Sequence, residues 1–129
     1  MSIHTQITIT DADVNGGKFT PKVLVVGIDG KFIEFIHARI QWQGGTQQFL
    51  GTMKPYLDSG GTVLSNTLSQ GFLQAHTGTN NVGILTPTPN DGSYPMQKGL
   101  PLRLQWNGDV WQPSIGGTGV IDLWYDITI

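Results

Sequence analysis

Lys22-Val23-Leu24-Val25-Val26-Gly27-Ile28-Asp29-Gly30-Lys31-Phe32-Ile33-Glu34-Phe35-Ile36-His37-Ala38-Arg39-Ile40-Gln41-Trp42 is the richest source of core in the chain. Asp29-Gly30 has the left-handed backbone preference of a tight turn, so the stretch reads as two strands folded back on each other at Ile28–Lys31. Along the second arm Ile36, Ala38, Ile40 and Trp42 fall on one face and His37, Arg39, Gln41 and Gln43 on the other. Period two of this kind is a half-buried antiparallel strand. Near the turn both parities turn apolar at Phe32, Ile33 and Phe35. That end is therefore expected to be covered on both sides, by a second sheet, a loop or another chain.

The remaining segments alternate in the same way. Ile3, Thr5, Ile7 and Ile9 oppose His4, Gln6, Thr8 and Thr10, and Leu100, Leu102, Leu104 and Trp106 alternate with Pro101, Arg103 and Gln105. Asn107-Gly108-Asp109 then reads as a hairpin turn into Val110-Trp111. The last strand carries Ile121, Leu123, Tyr125, Ile127 and Ile129 inward, with Asp122, Trp124, Asp126 and Thr128 outward. Gln48–Met53 and Val82–Leu85 read as further short strands. From Lys54 to Asn81 the pattern loosens: Leu64, Leu68 and Phe72 share helical spacing, while the Ser, Asn and Thr content also fits a long loop with one strand. Pro87, Pro89 and Pro95 stiffen a surface arm that includes Tyr94.

At 129 residues the chain suits one domain, residues 1–129, with a real core. Its 18 glycines imply many turns and an all-β fold, an antiparallel β-sandwich of jelly-roll-like character. Charged residues are only 12% of the chain, so its surface relies on hydrogen bonding more than on charge. A formal net charge of -2 supplies no basic field for gripping phosphate backbones, and no nucleic-acid partner is expected. No cysteine is present for disulfides or thiolate metal sites. Neither a signal-like leader nor an apolar run of about 20 residues is present, which gives the expectation of a soluble protein made in a cytoplasm, with no membrane partner.

Few residues are spaced for chemistry, and the expectation is a protein without catalytic residues, metal or cofactor. Asp11-x-Asp13-x-Asn15-Gly16 matches the opening of a calcium loop, but Lys22 stands where the bidentate carboxylate belongs, so a plain turn is the better reading. His4, His37 and His76 are widely separated and read as surface polar residues. Asp58-Ser59-Gly60-Gly61 lacks the strand-turn-helix setting of a nucleophilic serine. Gly116-Gly117-Thr118-Gly119 could pass for a phosphate loop but leads into a strand and lacks the lysine, so it reads as a flexible turn. Asp122 and Asp126 lie about 13 Å apart along one strand at roughly 3.3 Å per residue, wide even for an inverting glycosidase pair.

The tryptophans say more. Trp42 and Trp106 are in phase with the inward faces, whereas Trp124 stands among Asp122, Asp126 and Thr128 on an outward one. A large aromatic on a polar face marks a covered face, by protein or by a sugar stacked on the indole. Trp124, Asp122, Asp126, Pro87, Pro89 and Tyr94 are accordingly the candidate interface residues, with protein contact favoured.

Pro21–Val25, then Gly27-Ile28-Asp29-Gly30-Lys31-Phe32-Ile33-Glu34, the outward Arg39, and the closing Gly116-Gly117-Thr118-Gly119-Val120-Ile121-Asp122-Leu123-Trp124-Tyr125-Asp126-Ile127 together resemble small virion structural proteins of tailed bacteriophages. The resemblance implies a single-domain β-sandwich that decorates or cements the capsid surface as a homotrimer, with the major capsid protein as partner. It covers both ends of the chain better than the middle. The alternative is a carbohydrate- or receptor-binding module of a phage fibre that uses Trp124 or Trp111.

Overall fold

The computed structural model describes residues 2–16, 20–88 and 98–129. Its strands are β1 (Ile3–Thr10), β2 (Lys22–Val25), β3 (Phe32–Gln43), β4 (Leu50–Gly51), β5 (Lys54–Ser59), β6 (Thr62–Val63), β7 (Asn80–Leu85), β8 (Leu102–Asn107), β9 (Val110–Gln112) and β10 (Thr118–Thr128). A one-turn helix, α1 (Asp11–Asn15), follows β1, and a 3-10 turn covers Gln70–Leu73. Two four-stranded sheets run β1-β10-β3-β7 and β2-β8-β5-β6, and β4 pairs with β9 apart from them. Every strand pairing is antiparallel. Ile40, Trp42, Ile121 and Leu123 of the first sheet and Leu57, Leu102, Leu104 and Trp106 of the second belong to one buried cluster. Phe49, Met53, Phe72 and Leu73 join that cluster from the connections. The architecture is thus all-β and antiparallel, as the alternation predicts.

The pairing of Lys22–Trp42 differs from the sequence expectation. Gly30 does take a left-handed conformation (φ 74°) and the Lys31 N–H does reach the Ile28 carbonyl at 3.1 Å. The two arms nevertheless lie in different sheets, β2 beside β8 and β3 between β10 and β7. Asn107-Gly108-Asp109 behaves likewise, passing the chain from β8 to β9, whose partner is β4. A turn sequence specifies local reversal only; which strand lies alongside is decided by non-local burial. The tight hairpin in the second sheet is β5-β6, where Asp58 pairs with Val63 across Gly60 and Gly61. Both of those glycines have positive φ, as a two-residue hairpin loop requires.

The double apolar parity near Phe32 has two sources: Phe32 itself is half-buried on the outward side, with Lys98 Nζ 5.5 Å from its ring centroid, and a bulge shifts the phase of the inward residues beyond it. Trp124 of β10 faces His37, but its neighbour Tyr125 faces Phe35, so Ile36 is an extra residue on β3. This bulge switches the inward set from Ile33 and Phe35 to Ala38, Ile40 and Trp42, all buried. One face is buried throughout; the phase changes partway along it. On β10 the inward row is shorter than its alternation suggests. Ile121 and Leu123 are fully buried and Tyr125 packs against the core, but Ile127 is 38% and Ile129 85% exposed.

Candidate interaction face

The outward face of the β1-β10-β3-β7 sheet is laid out in rows by strand register. One row runs His4, Trp124, His37, and the next Gln6, Asp122, Arg39, Ile84. The His4 ring stacks on Trp124 with centroids 4.4 Å apart and an interplanar angle of 11°, and His37 meets the same indole tilted at 5.4 Å. Asp122 Oδ1 lies 3.2 Å from His4 Nε2 and accepts from Gln6 Nε2 at 3.1 Å. Beyond Arg39 the face becomes apolar at Ile84 and Val82, both exposed. Asp126 stands across from Glu34, and its Oδ1 is buried without a hydrogen-bond partner among the described residues. A carboxylate oxygen in that condition is costly unless a donor reaches it.

Of the residues singled out in the sequence, Trp124 and Asp122 are thus brought together, and Asp126 follows on the same face. Pro87 is not joined to them; it forms an isolated bridge with Ser65. Pro89 and Tyr94 lie outside the described residues. His4 and His37, read as separate surface residues, converge on Trp124 from two strands. No spacing along the chain signals this, because the two rings meet only through the β1-β10-β3 register. One face of the Trp124 indole is occupied by His4, so a sugar would have to displace the imidazole to stack there. Trp111 on β9 is 70% exposed, while Trp42 and Trp106 are buried in the core as their phase implies.

The calcium-like and phosphate-like motifs turn out to satisfy each other. Asp11 accepts from Ser114 Oγ (2.6 Å), the Gly116 N–H (2.7 Å) and the Gly117 N–H (2.9 Å). The glycine-rich loop therefore cradles the chain's own carboxylate, as such backbone nests cradle anions. Asn15 closes the same joint through the carbonyl and N–H of Ser114. Asp13 instead forms a capping box with Thr10 at the start of α1 and an ion pair with Lys22 at 3.1 Å. Among the described residues, no three His, Asp or Glu side chains converge as a metal site.

Burial works against charge on Asp13, but the Thr10 N–H and the Lys22 ammonium outweigh it and hold the carboxyl below the usual aspartate range. A carboxyl lowered on folding stabilises the fold above the ordinary aspartate pKa and loses that contribution as pH falls through its folded value. Asp13→Asn is therefore expected to flatten the acid limb of stability while changing the neutral value by about 1 kcal/mol. Urea unfolding from neutral to strongly acid pH checks this, and an unchanged acid slope would exclude Asp13 as a contributor.

Sequence reasoning also missed a buried ion pair. Asp58 on β5 and Arg103 on β8 are register partners, with Arg103 Nε and Nη2 donating to the two carboxylate oxygens at 3.0 and 2.8 Å. Asp58 is 2% exposed, and Arg103 is held above its usual value chiefly by this bond. The only sequence signal is a lone acid and a lone arginine on strands whose pairing is not visible in advance.

No protein-family model matches the chain, and no curated relative matches it. A chain of the cyanophage Pam1 capsid asymmetric unit shares its fold, with a TM-score of 0.51 at 12% identity, over 97% of this chain and 83% of that one.

Proposed function

We propose that the protein is a non-enzymatic structural protein of a phage virion, a decoration or cement protein that sits on the capsid surface between major capsid subunits and stabilises the shell. The observation that carries this reading is the fold shared over nearly the whole chain with a cyanophage capsid chain. Strand order supports it. The orders β1-β10-β3-β7 and β2-β8-β5-β6, with the chain crossing between sheets at almost every connection, support a jelly-roll reading, and jelly rolls are common in viral shells. Fold alone does not carry function; the outward face adds the site-level support. The exposed Ile84 and Val82 and the half-buried Trp124 present apolar area there among Gln, Thr and His side chains, and Asp126 follows Trp124 along β10. Such a mixture suits contact with another protein.

The mechanism is mechanical. A pre-folded domain that binds only the assembled shell raises the cost of separating its subunits by mass action. Repetition over a symmetric lattice lets modest contacts add by avidity. Purified protein is expected to co-sediment with expanded capsids that lack it and to raise their melting temperature. Absence of co-sedimentation at saturating protein would remove the decoration role.

A further inference from the structure

The edges of the two main sheets are not equally protected. At β7 the edge is covered by the segment before it. Asn81 Nδ2 donates to the carbonyls of Gly71 and Phe72, Asn66 Nδ2 donates to the Ile84 carbonyl, and Leu68 lies against Gly83. The β6 edge is two residues long. The β2 edge is four residues long, follows Pro21, begins at Lys22 and is broken by a register shift between Val23 and Val25. Each is a known way of blunting an edge.

β1 has none of these devices. It runs eight residues, Ile-His-Thr-Gln-Ile-Thr-Ile-Thr, without Pro, Gly, Lys, Arg, Asp or Glu, and among the described residues it pairs, in continuous register, with β10 alone. Half of its N–H and C=O groups therefore point away from the sheet. We propose that this edge is a contact between two copies of the chain, which join as antiparallel strands about a two-fold axis and fuse their four-stranded sheets into one. The inference rests on the edge and not on the virion reading.

The β1 sequence complements itself. Antiparallel pairing must keep inward residues opposite inward ones. Centring the axis on Gln6 sets Gln6 opposite Gln6, Thr5 opposite Ile7 and Ile3 opposite Ile9; centring it on Ile7 sets Ile7 opposite Ile7 and Gln6 opposite Thr8. In either register the inward side is Ile against Ile or Thr, the outward side is Thr, Gln and His, and no carboxylate or ammonium of β1 meets another. In the Gln6-centred register Ile3, which is 39% exposed, gains apolar cover from Ile9. A strand paired with itself is isologous, so it gives a two-fold dimer and does not close a trimer. This departs from the homotrimer that the family resemblance implies.

Light scattering over a concentration series tests it. The expected limiting mass is twice the 14.0 kDa of one chain; a limiting mass of one or three chains overturns the proposal. Gln6→Lys combined with Thr8→Lys brings like charges together in both registers, at exposed positions, and is expected to weaken the dimer about tenfold or more without lowering the melt of the monomer. Because the chain has no cysteine, Gln6→Cys and Ile7→Cys report the axis directly. Under mild oxidation one of the two is expected to give a covalent dimer, and a Thr62→Cys control on β6 none. Equal cross-linking at all three positions, or none at positions 6 and 7, excludes a β1 two-fold. A capsid-binding monomer would refute the dimer and leave the virion reading standing, and a dimer that ignores capsids would do the reverse.

Discussion

Truncation after Asp122 is expected to abolish cooperative folding, whereas removal of Ile127–Ile129 alone leaves a single sharp transition. β10 lies between β1 and β3, and its pairing runs from Ile3 to Thr10 on one side and from Phe32 to Gln43 on the other. Loss of Leu123–Ile129 removes the fully buried Leu123, worth about 2 kcal/mol, and the partly buried Tyr125. It also strips the ladder from β1 between Ile3 and Thr5 and opens Ile33, Phe35 and Ala38 of β3 to water. Those losses together reach the roughly 5–15 kcal/mol that hold a whole domain folded. The short truncation costs much less, because Ile129 is 85% exposed, Ile127 is 38% exposed, and only the end of the ladder opposite Ile33 and Phe32 is lost. Thermal and urea melts followed by tryptophan fluorescence check both. A cooperative melt in the long truncation would show that the strand is dispensable.

The same strand shows what a sequence of this kind reveals and where it stops. Inward and outward parity is a local property of the backbone, so Leu102, Leu104 and Trp106 on β8 and Ile121 and Leu123 on β10 are buried as their alternation predicts. Partner identity is not local. Asp29-Gly30 and Asn107-Gly108 carry good turn chemistry, yet each sends the chain across to another sheet. The reason lies in remote packing: a Cβ on Gly27 would overlap the Gly99 carbonyl, and one on Gly108 the Thr52 carbonyl. The turns are clamped by segments far away in sequence, and nothing within the turn itself discloses that. The bulge at Ile36 shows in the sequence only as a doubling of apolar parity, which taken alone suggests cover on both sides.

The candidate face was legible by half for the same reason. Trp124 draws notice because an indole among aspartates is out of pattern on its own strand. His4, Gln6 and His37 become its neighbours only once β1 and β3 are set in register beside β10. The glycine-rich loop and the acidic turn each looked like a weak ligand motif when read alone. Asp11 held by Ser114, Gly116 and Gly117 is one internal joint made from both. Polar groups that match in type but lie about a hundred residues apart can satisfy one another, and local motif matching has no access to that.

Arg103→Met is expected to cost about 3 kcal/mol, and Asp58→Asn added to it is expected to recover most of the loss. Asp58 is buried and its two oxygens accept from the Arg103 guanidinium, so removing the arginine leaves a carboxylate in a dry site. Replacing both charged partners removes that penalty, because an amide beside a thioether asks much less of its surroundings. A double-mutant cycle in urea should give a coupling of about 2 kcal/mol, and additive losses would show the pair to be energetically idle. Tyr56 supplies a second readout. Burial first and the Asp58 charge second raise its phenol above the usual value, while Arg103 acts in the opposite sense. Arg103→Met should therefore move the Tyr56 titration, followed by ultraviolet difference absorbance, further upward, and the double variant should bring it back down. A merely steric role for Arg103 could reproduce the stability loss, but it would not move the phenol in one direction and then the other.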